Sequence, residues 1–297
     1  MLLNSASLRS LYVGFSAAFQ SGFAGVTPQY GRVSMSVNST TAETEYGWLG
    51  EIPRIREWIG DRVVNNLETH GYSIKNKTFE STVGVKRERI EDDNLGMYTP
   101  IFQEFGRSTA TFPDELVWPF LKKGFATKCY DGQYFFDTDH PVLDENGVVQ
   151  SVSNSGGGAG TPWFLMDTSR FVKPVIYQNR RPFKLTAKDR LEDENVFMKD
   201  EFLYGTDGRC NVGFGFWQLA YGSKQTLDAA AYAAARAAMG SVKGDYGRPL
   251  GVKPNLLVVP PALESAALKI LNNEMSAGGE TNEWKGTAEL LVVPWLA

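Results

Sequence analysis

The sequence predicts an α+β subunit built to overlap its neighbours, and three observations predict it. A polar, extended stretch from Tyr72 to Asp93 carries too few apolar residues to anchor itself. Helical patterns flank that stretch on both sides. The last third of the chain changes character, to a compact helix–strand–helix–strand unit. The chain has 297 residues, 42% of them hydrophobic, which is enough for more than one compact unit.

Residues 1–50 read as an arm. Small and polar residues dominate from Ser34 to Glu45, and no sustained periodicity appears, so the segment needs a neighbour to order it. Trp48 and Leu49 end the arm. A helix follows: Pro53 suits a first helical position, Ile52, Ile55, Ile59, Val63 and Leu67 make one apolar face, and Gly71 stops it after His70.

The ribbon comes next. Phe79, Ser81, Val83 and Val85 alternate with Glu80, Thr82 and Gly84, the period of a strand. Tyr72–Ile74 is its candidate hairpin partner, with Lys75–Lys77 in the turn. So thin a ribbon must lie on something, either its own domain or another subunit. Residues 94–124 read as two helical pieces: Tyr98, Ile101, Phe102 and Phe105 stripe the first, and Pro113 opens the second, with Asp114 and Glu115 at its positive end. Leu116, Val117, Phe120 and Leu121 bury, and Lys122–Gly124 close it.

From Gly132 to Lys173 the chain is loop-rich, most flexible at Ser155–Gly160. Strands are expected at Val175–Tyr177, Phe183–Leu185, Val196–Met198 and Cys210–Trp217. Thr226 caps an Ala-rich helix from Leu227 to Met239. Leu256–Val259 is wholly apolar, the mark of a strand buried on both faces. Pro260–Pro261 starts a helix that buries Leu263, Ala266, Ala267, Ile270 and Leu271. A polar Gly loop, Ser276–Asn282, then leads to a last strand at Leu290–Val293.

Chemistry is sparse. Lys+Arg 30 against Asp+Glu 34 gives a net charge of -4 with no basic run, which argues against tight nucleic-acid binding. Cys129 and Cys210 are too few for a Cys-rich zinc site and read as reduced thiols. No window approaches the roughly 20 apolar residues that cross a bilayer, and Met1–Ser16 does not resemble a signal peptide, so a cytoplasm-made soluble chain is expected. Asp137–Thr138–Asp139–His140–Pro141 reads as a turn. Its alternative is a metal-dependent hydrolase using Asp137, Asp139 and His140. Gly156–Gly158 lacks the Lys-Ser/Thr of a phosphate loop. Glu91–Asp92–Asp93 supplies negative charge to the next helix start. Lys86–Arg87–Glu88–Arg89 is a solvated charge run or a partner for an acidic patch such as Glu192–Glu194. No catalytic residue, metal or cofactor is assigned.

Several long runs resemble the major head (capsid) subunit family of Mu-like tailed phages and prophages. They are HGYSIKNKTFESTVGVKRERIEDDNLGMYTPIFQEFGRSTATFPDELV (His70–Val117), GRPLGVKPNLLVVPPALESAALKILNNE (Gly247–Glu274), WKGTAELLVVPW (Trp284–Trp295) and WLGEIPRIREWIGDR (Trp48–Arg62), in that family's order. The resemblance implies the Hong Kong 97-type capsid fold. Its parts would be an N-terminal arm at 1–50, a connecting helix at 51–70, an extended E-loop at 71–93, a P-domain with a spine helix at 94–225, and an A-domain at 226–297. The strand-rich block 163–221 precedes the Ala-rich helix, a rearrangement of the usual order. Lys75, Lys77, Phe79, Val83, Val85, Lys86, Arg87 and Arg89 of the E-loop are the implied inter-subunit contacts, and the resemblance implies that the Phe79, Val83 and Val85 face is covered by a neighbouring chain. Ser276, Gly278, Gly279, Glu280 and Asn282 form the implied loop at the capsomer axis. The implied partners are copies of the chain in hexamers and pentamers, a separate scaffolding protein, a portal and a maturation protease. The implied shell encloses double-stranded DNA without sequence-specific binding. It is a virion part, assembled in the host cytoplasm and bound to no membrane. An encapsulin-type shell is the alternative of the same fold.

Overall fold

The computed structural model describes residues 3–49, 71–92, 95–276 and 278–297. The expected helix after Pro53 lies outside the described residues.

The first element corrects the reading of an unanchored arm. Helix α1 (Ser5–Ala24) buries Leu8, Leu11, Phe15, Ala18 and Phe19, a spacing of three and four that makes one apolar face. Asn4 caps it: its side chain accepts from the Ser7 N–H at 2.8 Å, and Ser7 Oγ accepts from the Asn4 N–H at 3.0 Å. After α1 come β1 (Ser34–Asn38), β2 (Glu43–Glu45), β3 (Ser73–Lys75), β4 (Lys77–Lys86) and the short α2 (Arg87–Glu91).

The long helix α3 (Tyr98–Lys122) is one element, not two, with Pro113 and Pro119 inside it. Each proline removes one hydrogen bond, yet the helix continues because tertiary contacts fix its middle. Asp114 is fully buried and accepts three N–H groups: Gln29 at 3.1 Å, Tyr30 at 2.6 Å and the Trp118 indole at 3.0 Å. Asp114 therefore ties α3 to the chain after α1, rather than capping a helix start. Helix α1 lies along α3, with Phe15 stacked on Phe102 at 4.1 Å between ring centres.

Beyond α3 lie β5 (His140–Leu143), β6 (Val149–Val152), β7 (Ser155–Gly158), β8 (Trp163–Met166), β9 (Val175–Lys188), α4 (Glu194–Lys199) and β10 (Glu201–Phe214). Strand β9 is continuous where two strands were expected, and Val196–Met198 falls in α4 rather than in a strand. The run at Ser155–Gly158 is an edge strand, paired in parallel with β11 (Ala220–Lys224). The chain closes with α5 (Ala229–Gly240), the two-residue strands β12 (Lys243–Gly244) and β13 (Arg248–Pro249), then β14 (Leu256–Val259), α6 (Glu264–Leu271) and β15 (Glu289–Val292). Asp228, not Thr226, caps α5, its side chain accepting from the Ala231 N–H at 2.8 Å.

Two sheets organise these elements. The first has strand order β1-β9-β10-β4. Alternate residues of β10 are buried from Phe202 to Val212, so one face carries the core and the other meets solvent. The second has order β15-β14-β8-β11-β7. Every residue of β8 and β14 is buried, and the two faces feed different cores. Phe164, Met166, Leu256 and Val258 pack with Val117, Trp118 and Leu121 of α3. Trp163, Leu165, Leu257 and Val259 pack with Tyr232, Met239, Ile270 and Leu271 of α5 and α6. This is why those strands have no polar alternation. The α/β unit thus takes strands from both sides of residue 226.

Candidate assembly surfaces

The ribbon is part of the subunit's own sheet. Strand β4 pairs with β10 along its whole length, from Lys77 opposite Cys210 to Lys86 opposite Glu201. Its expected hairpin partner, Tyr72–Ile74, contributes instead to β3, which pairs with β2. The reason is the length of β10: fourteen residues offer a full ladder that a three-residue partner cannot match.

Several predicted contact residues are consequently committed inside the chain. Val85 is fully buried with Leu8, Ile90, Phe202 and Tyr204, so the expectation that a neighbour buries it is corrected. Phe79 is half-buried, its ring 4.8 Å from that of Phe112 in α3, and Val83 packs at the edge of the α1 core. Lys75, Lys77, Lys86 and Arg89 point to solvent. Arg87 is half-buried and pairs within the chain, with Glu91 at 2.9 Å and Asp200 at 3.9 Å. Residues 87–91 form α2 rather than extended chain.

The Gly loop is exposed at Ser276, Gly278, Gly279 and Glu280. The Ser276 N–H donates to the Glu280 carbonyl at 2.8 Å, and Gly279 takes φ 81°, a left-handed turn that suits glycine. Asn282 has a different place: its amide donates to the carbonyls of Ile270 at 2.8 Å and Asn273 at 2.9 Å. It closes the loop onto α6.

Asp137, Asp139 and His140 do not converge into one cluster among the described residues. Asp137 accepts the backbone N–H groups of Tyr134 at 3.1 Å and Thr138 at 2.8 Å, while Asp139 is exposed. His140 opens β5 and is fully buried, stacked on Trp217 at 4.0 Å. Its Nδ1 lies 2.6 Å from Asp131 Oδ2 and its Nε2 3.2 Å from Asn154 Oδ1. The Cys129 thiol donates to Asp131 Oδ1 at 3.1 Å. Burial raises the Asp131 carboxyl, but the bonds from His140 and Cys129 outweigh it and hold the group below the ordinary range. Burial, reinforced by the Asp131 carboxylate, pushes the Cys129 thiol up. These side chains satisfy one another and brace the core.

The surface also carries apolar side chains: one, Phe171, that no strand or helix pattern singled out, and two, Phe197 and Met198, that the expected strand at Val196–Met198 had included. Phe171 is wholly exposed, and Phe197 and Met198 of α4 are mostly so.

Comparison with known proteins agrees in every direction. Residues 8–296 match the family model described as Mu-like prophage major head subunit gpT. The chain is 46% identical over 305 residues to the major capsid protein of Escherichia phage Mu, covering 100% of both. Its fold matches a chain in the procapsid of bacteriophage JBD30 with a TM-score of 0.89 and 47% identity, covering 99% of this chain and 100% of that one. The match to a chain of the JBD30 capsid has a TM-score of 0.78 and 35% identity, covering 100% of both.

Proposed function

The chain belongs to the Mu-like prophage major head subunit family and is a major capsid protein with the Hong Kong 97-type fold; from that premise we propose how it builds its shell. Its role is mechanical, not enzymatic. Copies form hexamers and pentamers that close into an icosahedral shell around double-stranded DNA. Each interface needs only modest affinity, because every subunit makes several at once. The net charge of -4, without a basic run, suits a wall that holds nucleic acid without binding its sequence. A separate scaffolding protein guides closure in the host cytoplasm, with a portal and a maturation protease as further partners.

The observation that carries this reading is the full-length match to a procapsid subunit together with a fold whose polar residues are used for bracing. We assign α3 as the spine of the P-domain and the sheet β15-β14-β8-β11-β7 with α5 and α6 as the A-domain. On this assignment the A-domain begins before residue 226. The exposed basic residues Lys75, Lys77, Lys86 and Arg89 remain the ribbon's candidate contacts to a neighbour, and Ser276, Gly278, Gly279 and Glu280 the candidate loop at the capsomer axis.

Co-expression with a candidate scaffold, followed by sedimentation, tests the reading. Particles of megadalton mass are expected. Monomers under every condition would overturn it.

A further inference from the structure

Phe171 sits at the tip of a loop that is held rigid from below. Asp167, fully buried, accepts the Ser169 N–H at 3.0 Å, the Ser169 hydroxyl at 2.6 Å and the Lys253 N–H at 2.9 Å. The Thr168 N–H donates to Asn255 Oδ1 at 2.8 Å. Lys173 donates to the Arg32 carbonyl at 3.2 Å, and Arg170 donates to the Leu250 carbonyl. All of this order presents a phenylalanine whose exposure is 102%, so its ring touches little of its own subunit. A large apolar side chain on a pre-ordered loop is the form of a binding anchor, because little freedom remains to be lost on docking.

The same end of the subunit holds a cleft of about 390 Å³ beside the β5–β6 hairpin, lined by Val142, Gln150, Val152, Lys243, Asp144 and Glu145 among others. Val148 and Val149 of the same hairpin, and Tyr246 next in sequence to the lining residue Gly247, are exposed. Tyr246 holds φ 61°, an unfavourable conformation for an aromatic residue and one that recurs at functional surfaces. The cleft is large enough for a phenyl ring. Its charge also complements the loop. Asp144, Glu145 and a single cation, Lys243, line the cleft and Asp245 stands beside it, an acidic excess; at the base of the Phe171 loop Arg170 pairs with the buried Asp167 at 3.5 Å and Lys173 adds a further cation.

We propose that the Phe171 loop of one copy seats in the β5–β6 cleft of a second copy of this chain. The proposal rests on the capsid reading and adds a specific contact to it. Loop and cleft flank one segment: Arg170 holds the Leu250 carbonyl, the Leu250 N–H donates to the Val242 carbonyl at 3.1 Å, and Lys243 and Gly247 line the cleft. Different patches meet, so the contact is head-to-tail, the kind that generates a ring when its rotation closes. Charge steers the approach, and the ring supplies the buried apolar centre.

Two measurements test it, both on the full chain co-expressed with the candidate scaffold. In the first, Phe171→Ala lowers particle yield about tenfold or more, while the thermal melt of the unassembled subunit stays at the wild-type position, as expected for a side chain buried by nothing. In the second, chains carrying Phe171→Cys and chains carrying Gln150→Cys are produced together. Particles oxidised before analysis then contain a 171–150 disulfide between two chains, mapped by mass spectrometry. Wild-type particles with neither a yield defect in the Ala variant nor the 171–150 bond would overturn this contact and leave the capsid reading standing. Absence of particles from the wild type would overturn the capsid reading and this contact with it.

Discussion

Gly106 of α3 stands directly against the carbonyl of Phe19 in α1, closer than any side chain would allow. Gly22 of α1 meets the backbone of Gln103 in the same way. The two helices therefore touch backbone to backbone, and the aromatic rings of Phe15, Phe19, Phe102 and Phe105 pack around that crossing. Gly106→Ala forces the helices apart. A loss of about 1–3 kcal/mol is expected from such overpacking. Denaturant unfolding of the unassembled subunit measures it, and unchanged stability would mean that α1 does not rest on α3.

Val85 separates two accounts of the ribbon. If it belongs to the subunit's own core, beside Phe202 and Ile90, Val85→Ala costs about 2 kcal/mol before any assembly occurs. If a neighbour buries it, the variant unfolds like the wild type and fails only in particle formation. The first outcome is expected, read by thermal melting of the isolated subunit.

Asp114 gives a dependence on pH. Burial is the largest influence and raises its carboxyl; the N–H donors of Gln29, Trp118 and Tyr30 offset part of that. The folded chain therefore holds the proton more tightly than the unfolded chain does. Stability from this group is present below the ordinary carboxylate range and is lost as pH rises through the raised value. Asp114→Asn, which keeps an acceptor oxygen and no charge, flattens that part of the stability profile. Asp114→Ala leaves donors unmatched and costs about 2–4 kcal/mol. Urea unfolding across pH 3–8 distinguishes the two variants; a wild-type slope retained in Asp114→Asn would contradict the assignment.

Much of this fold is legible in the chain because some signals are local. The run Leu256–Val259 announces a strand with two buried faces, and the structure sends its alternate residues to two cores. The strand at 77–86 is legible from its alternation, but its partner is not: β10 lies more than a hundred residues on, and no local pattern names it. Helix α1 was readable from Leu8, Leu11, Phe15, Ala18 and Phe19; the polar run after Ser34 obscured it by making the whole segment look unanchored. Pro113 argued for a break in α3, and the ties from Asp114 to Gln29, Tyr30 and Trp118 overrode it. The surfaces were least legible. Exposure depends on everything packed nearby, so Phe171 and Val85 look alike in sequence and stand at opposite extremes in the fold.

Electron cryomicroscopy of particles from cells producing this chain with its scaffold bears most directly on the central claim. The expected result is a closed shell of repeated copies, each with α1 lying on its own α3 and β4 in its own sheet. A chain that yields no closed shell, or one in which α1 and β4 pack on a neighbouring copy instead, would contradict it.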